Sequence, residues 1–451
     1  MIKTFLYKSY RFFYTSDLRR RRRFTLAGLV LTASVAITAI AGLDTHSTLV
    51  HQVFTLLLSV LLLSLLWSKF LGRIDIAATR HLPRYATVGQ PLVYRVAFEN
   101  RTARKQTALQ FYENTTDPRP SLEELLSVKE PGEEKRNLWD RNILYYRWLW
   151  LISKRRIVED RLHPVPDLPA NGRREIRVEI TPRSRGYLHF YGFEIARTDP
   201  FGLCRALSSI PAPQKVIVLP KRYRLPRLTL PGARRHHARG VRLAASIGND
   251  GEFVSLREYR PGDNLRQIHW KSSAKRNEWI IKEHQEEFYA RQALILDTFS
   301  TSAHSDRFEE AVSIAASLVC ALQTQESLLD LLFVGDRSYR FSSGRGTSSY
   351  DHLLEILAAV QTCRDKTFDA IAAPVFAHMH LFSGCICVLL AWDEPRRALI
   401  RGLKDRGVPL LVIVVAEDDP SPPMDPGPLK GFENDFMVVK IGRIEEGLAG
   451  L

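Results

Sequence analysis

Cysteine is scarce in this chain, five in 451 residues, too few for a disulfide scaffold. Cys204, Cys320, Cys363, Cys385 and Cys387 need not pair in a reducing compartment. A complete phosphate-binding glycine motif is missing, although Gly344 and Gly346 lie close together. No nucleophile stands at a telling spacing from a base. Two long uncharged runs lie before Lys69. What remains is an ordinary globular mix, 45% hydrophobic and 25% charged, which excludes a wholly disordered or collagen-like chain. The length suits two or three domains.

The net charge is +15. Residues 1–23 hold eight Lys and Arg, ending in Arg19 to Arg23, against Asp17 alone. Residues 221–242 hold another eight with no acid. Those two segments account for the whole excess, so the rest of the chain is formally neutral. A uniformly basic nucleic-acid binder is excluded.

From Phe24 to Leu43 run twenty residues without charge, enough to cross a bilayer as a helix. Asp44 to His46 interrupt, and a second run, Ser47 to Ser68, ends at Lys69. The first run is too long for a signal-peptide core, and no clear cleavage site follows it. The pattern predicts two transmembrane helices within 24–70 behind a basic cytoplasmic tail, 1–23. Lys69 and Arg73 follow the second span, whereas the turn holds neither Lys nor Arg. The positive-inside rule then places both termini and the soluble domains in the cytoplasm, on a multi-pass protein of the inner, cytoplasmic membrane.

Residues 71–220 read as short alternating strands punctuated by Pro and Gly, the pattern of a β-sandwich. A helical insertion near 133–156 carries Trp139, Trp148 and Trp150. It either lies in the membrane interface or packs on the sandwich.

The most specific stretch is Gly251 to Arg276, GEFVSLREYRPGDNLRQIHWKSSAKR, within a segment 251–290. Pro261-Gly262-Asp263 is a turn signal, and Asp263 or Asn264 is placed to cap the helix that follows. Glu258, Asp263 and His269 have the chemistry for acid–base work or metal binding. The better reading is a charge-paired platform held by Arg–carboxylate bonds. Arg257, Glu258, Asp263, Arg266, His269, Trp270 and Lys271 then form a scaffold or partner-contact motif. This stretch resembles the signature of domain-of-unknown-function family 58. Arg185-Gly186-Tyr187, Asp199-Pro200-Phe201-Gly202-Leu203 and Val218-Leu219-Pro220 resemble further motifs of that family. The resemblance covers roughly residues 20 to 442. It implies a membrane-anchored bacterial protein with a von Willebrand factor A-like domain, often paired with a MoxR-type AAA+ ATPase.

Over 291–451 apolar strands alternate with helical patterns, which predicts an α/β domain with a parallel sheet covered on both faces. The resemblance implies that this domain is the von Willebrand factor A-like one. It also implies a metal site at the strand ends, with the pattern D-x-S-x-S, then Thr, then Asp. Asp297, Thr301, Thr347 and Asp393 are the matching positions, but Phe299 stands where a Ser ligand belongs. Mg²⁺ needs near-octahedral oxygen coordination, so the site reads as degenerate, with Asp297 and Asp393 capping helices or pairing with Arg. Cys385 and Cys387 share one face of a strand as core thiols.

The segment 221–250 reads as a basic linker. Arg234, Arg235 and Arg239 suit anionic lipid headgroups, an acidic partner surface, or plain solvent. Tyr223 is the one aromatic within 221–242, which argues against nucleic acid. The expected protein is a membrane-anchored, non-enzymatic adaptor without a cofactor, acting in assembly or maturation of a membrane or envelope complex. Its implied partner is a MoxR-type AAA+ ATPase. The alternative is a metal-dependent enzyme or metal-binding module using Mg²⁺ at the strand ends.

Overall fold

The computed structural model describes residues 2–42, 48–71, 75–226, 252–285, 291–302, 304–323, 328–343, 347–418 and 424–450. They form two compact units, residues 1–221 with 355–360, and residues 222–354 with 361–451.

The first unit begins with three helices: α1 (Ile2–Arg23), α2 (Leu26–Ala41) and α3 (Thr48–Leu71). The basic segment is therefore a helix rather than a loose tail. Among the described helices α3 alone is long and apolar enough to cross a bilayer, over Leu49–Phe70. The 16 residues of α2 rise only ~24 Å, short of a hydrocarbon core of ~30 Å. Both helices expose large apolar side chains, among them Val30, Ile37, Leu62 and Leu66.

The strands are β1 (Ile76–His81), β2 (Tyr85–Thr87), β3 (Leu92–Asn100) and β4 (Leu109–Thr115). Three short helices follow, α4 (Leu122–Ser127), α5 (Leu138–Ile143) and α6 (Tyr145–Arg155). Then come β5 (Leu162–Val165), β6 (Arg173–Ile180), β7 (Gly186–Thr198) and β8 (Arg205–Leu219). One sheet has the order β1-β3-β6 and the other β2-β8-β7-β4-β5. Only β2 and β8 pair in parallel. Alternation on β3 buries Leu92, Tyr94, Val96 and Phe98. They share a core with Phe111, Leu188, Phe190, Phe193 and Val216 of the other sheet, which makes the pair a sandwich. Inside it the Arg80 guanidinium bonds to Glu113, which also accepts the Tyr94 hydroxyl at 2.7 Å.

The insertion is broken rather than continuous, because Leu144 takes a left-handed φ of 62° between α5 and α6. Its Trp148, Leu151 and Ile152 are buried, whereas Trp139 and Leu149 are exposed. One face thus packs on protein, part of it on α1: Tyr7 meets Trp148 edge-on at 5.8 Å. The Tyr10 hydroxyl donates to the Ile143 carbonyl at 2.9 Å. At the other end of α1, Arg22 pairs with Asp160 at 2.9 Å and Glu194 at 2.5 Å.

The second unit opens with β9 (Glu252–Glu258), α7 (Trp270–Arg276) and β10 (Ile280–Gln285), β9 and β10 pairing as an antiparallel ribbon. The large sheet follows: β11 (Arg291–Leu296), α8 (Asp306–Gln323), β12 (Leu328–Val334), β13 (Ser338–Ser343), α9 (Thr347–Ala359), α10 (Asp369–His378), β14 (Gly384–Leu389), α11 (Glu394–Asp405), β15 (Leu410–Ala416), β16 (Phe436–Lys440) and α12 (Ile444–Leu448). Its order is β13-β12-β11-β14-β15-β16. All pairs are parallel except β12 with the edge strand β13. Ala293, Ile295, Cys385, Cys387, Val412 and Val414 share a core with Ile371 of α10 and Leu399 and Leu403 of α11. The helix α8 packs on β11, β14 and β15. The Cys385 and Cys387 sulfurs are buried 3.7 Å apart. The strands β13 and β16 escape a sequence reading because, unlike β14 or β15, they are only partly buried.

Candidate functional site

The signature folds as a ribbon, a turn and a short helix. Arg257 makes two bonds of 2.7 Å to the carboxylate of Asp263. Asp263 also accepts the Arg260 N–H at 2.8 Å, while its own N–H donates to the Arg260 carbonyl at 3.0 Å. These bonds close the turn through Gly262, whose φ of +106° suits glycine. Arg257 and the Arg260 N–H hold the Asp263 carboxyl down to about 2. Asn264, not Asp263, caps the following turn by accepting the Arg266 N–H. His269 donates its backbone N–H to the Ile280 carbonyl at 2.8 Å, and its Nδ1 lies 2.7 Å from the Ser272 hydroxyl. Ser273 links the same elements, accepting the Ile280 N–H at 2.9 Å.

Arg257, Asp263 and His269 are thus tied into the local framework. Glu258, Arg266, Trp270 and Lys271 are exposed on it. Trp270 is 67% exposed, and Leu265 and Trp279 are 55% exposed each. Leu265 and Trp279 are absent from the sequence-derived set; their apolar character beside a turn signal is the clue that marks them.

The second cluster lies where β11 and β14 end side by side and the strand order turns back, the ligand position of open α/β sheets. Asp297 is fully buried. It accepts N–H bonds from Phe299 at 3.0 Å and Leu390 at 2.9 Å. A third bond comes from Arg396 Nε at 2.6 Å. The Arg396 Nη1 reaches Asp393 at 2.5 Å. Asp393 is the N-cap of α11, accepting the Arg396 N–H, and Pro395 follows in the first turn. Burial pushes the Asp297 carboxyl above its usual range, against Arg396 and the two backbone donors. Arg396 is the residue sequence reading left unnamed, because its partner Asp297 lies 99 positions away.

Phe299 packs edge-on against Phe368 with ring centres 5.5 Å apart. The Arg396 guanidinium lies 4.7 Å from the Phe368 ring centre. Thr301 is exposed, and Ser300 and Ser302 bond within their own turn. The Thr347 side chain lies outside the described residues, as do Arg234, Arg235 and Arg239. These donors do not fit Mg²⁺: Arg396 engages both carboxylates, and Phe299 offers no oxygen. Of the linker, residues 221–226 are described, and Tyr223 among them is buried, its hydroxyl donating to Glu310 at 2.5 Å.

The upstream motif has a place too. Asp199 accepts the N–H groups of Leu203 at 2.8 Å and Cys204 at 3.0 Å. The Leu203 carbonyl then takes the Thr25 N–H at 3.0 Å, just before α2. The motif 199–203, with Cys204 after it, therefore seats the start of an apolar helix.

The ribbon and the adjoining α/β sheet define a mixed α/β domain carrying one highly specific exposed motif. Residues 255–378 match the family model described as "Protein of unknown function DUF58". It is similar to an uncharacterized protein, YeaD, of Bacillus subtilis (strain 168), 28% identical over 182 residues. That match takes in 40% of this chain and 44% of the relative, so the chain spans less than half the length of the relative. Among solved structures, a CARDB domain from Pyrococcus furiosus shows 8% identity and a TM-score of 0.17 over 32% of this chain and 94% of that one. A cohesin module from Clostridium perfringens shows 11% identity and a TM-score of 0.17 over 32% and 98%. Overlaps this slight define neither fold nor function.

Proposed function

We propose that this protein is a membrane-anchored, non-enzymatic adaptor whose signature ribbon docks a protein partner. The observation that carries the reading is the division of labour within the motif. Internal bonds consume Arg257, Asp263 and His269, while Trp270, Leu265, Trp279, Arg266 and Lys271 face outward. Exposed Trp and Arg on a rigid frame are the residues that dominate protein–protein contacts. The family resemblance makes a MoxR-type AAA+ ATPase the partner to test, in assembly or maturation of a membrane or envelope complex. The C-terminal sheet, with its 3-2-1-4-5-6 strand order and antiparallel edge, supports a von Willebrand factor A-like reading of that domain.

The anchor is a two-helix hairpin, α2 and α3, in the inner membrane with the soluble domains cytoplasmic. Their exposed apolar side chains and the arginines ahead of Phe24 support it. The test is recovery of the purified ATPase on membranes carrying the full chain. Trp270→Ala and Lys271→Glu are expected to lose it at unchanged protein level. Recovery unaffected by either substitution would remove the ribbon as the contact surface.

A further inference from the structure

We infer that Arg396 is the resident cation of the strand-end site, and that Phe299 stands where it does because it supports that arginine. The two departures from a metal-binding pattern are mechanically linked. A serine at 299 would offer an oxygen to a metal. Phenylalanine there offers a ring edge to Phe368, and Phe368 presents its face to the Arg396 guanidinium. The guanidinium is held from three sides. Asp297 takes Nε, Asp393 takes Nη1, and the Phe368 ring lies 4.7 Å from its central carbon. A planar cation with fixed donors suits this arrangement better than a lysine ammonium.

Arg396 answers both carboxylates at once, Asp297 through Nε and Asp393 through Nη1, so neither is left for a divalent ion. Asp393 also caps α11, the helix that delivers Arg396, so the cation arrives on the element its own partner initiates. A divalent ion would have to displace a guanidinium that is 8% exposed, and would find phenylalanine at 299 in place of an oxygen ligand. The site is thus a cation site filled by the chain's own arginine, and removing Arg396 while restoring an oxygen at 299 reopens it.

The experiment uses the full chain in detergent micelles and Mn²⁺ as the probe, read by paramagnetic resonance and by the thermal midpoint. The wild type is expected to bind no Mn²⁺ at submillimolar concentration and to melt at the same temperature with or without it. Phe299→Ser with Arg396→Ser is expected to bind one Mn²⁺ and to gain several degrees in midpoint on adding it. A further Asp297→Asn is expected to abolish both effects. Arg396→Lys, which keeps a cation in place, should melt lower than the wild type and stay indifferent to Mn²⁺. Stoichiometric Mn²⁺ on the wild type or on Arg396→Lys, lost with Asp297→Asn, overturns the inference whether or not the double variant folds. A folded double variant that takes no Mn²⁺ overturns it equally.

Discussion

Two arginine–carboxylate pairs of this chain make opposite demands on their surroundings. Arg257 and Asp263 sit at the surface, and their bonds pull the Asp263 carboxyl down to about 2. An unfolded Asp titrates near ~3.9, so the pair's contribution is complete above that value and fades as pH falls through about 2. Carbon-13 titration of labelled aspartate is expected to find Asp263 near 2 in the wild type. In Arg257→Ala it should move up toward the ordinary range. Arg80 and Glu113 sit instead inside the sandwich, where burial lifts the Glu113 carboxyl despite Arg80. Removing one member of such a pair strands the other. Arg80→Ala is expected to cost ~3–5 kcal/mol in denaturant unfolding, and Arg80→Met with Glu113→Leu less than that single change. For the surface pair the sequence offered Arg–carboxylate bonding around the turn signal without saying which Arg meets Asp263, six positions separating the two members. The Arg80–Glu113 and Arg396–Asp297 pairs were not legible in it, because their members meet only after distant strands assemble.

Local pattern carried further for elements than for pairs. Period-2 alternation gave β3 and β6, and continuous apolar runs gave β11, β12, β14 and β15. The break at Leu144 went unseen, since nothing about leucine announces a positive φ. The docking of α2 was equally hidden, although both participants were visible as motifs. Its start touches the 199–204 turn so closely that a Cβ at Gly28 would clash with the Leu203 carbonyl oxygen. That atom is backbone and cannot swing aside. Gly28→Ala is therefore expected to lift α2 off the turn and to cost ~1–3 kcal/mol by overpacking. Ala36, exposed in the middle of the same helix, serves as the control position for a Leu substitution, which should leave the turn in place. Thermal unfolding in micelles, with the Cys204 thiol followed by maleimide, reads the change. Cys204 is fully buried beneath that junction and should become reactive in Gly28→Ala.

For the whole molecule, the contacts of α1 with the sandwich unit fix the parity of any bilayer crossings. The helix α1 belongs to the same compact unit as the sandwich. Tyr7 and Tyr10 lie on the 138–155 helices, and Arg22 is clamped by Asp160 and Glu194. Segments in such contact occupy one compartment, so the chain between residues 24 and 75 crosses an even number of times. If α3 spans, α2 has to return the chain across the bilayer, although its 16 residues rise only ~24 Å. One crossing would put Arg22 and Asp160 on opposite sides of the membrane. In intact cells, Lys8→Cys and Glu175→Cys are both expected to resist a membrane-impermeant maleimide until permeabilisation. Thr45→Cys, between the two runs, should react at once. The native background is low, because Cys204, Cys363, Cys385 and Cys387 are buried. Reaction of Lys8→Cys without Glu175→Cys would break the parity and dissolve the hairpin. Simultaneous protection of all three would place both helices on one side of the bilayer, leaving their exposed apolar faces to be covered by protein rather than lipid.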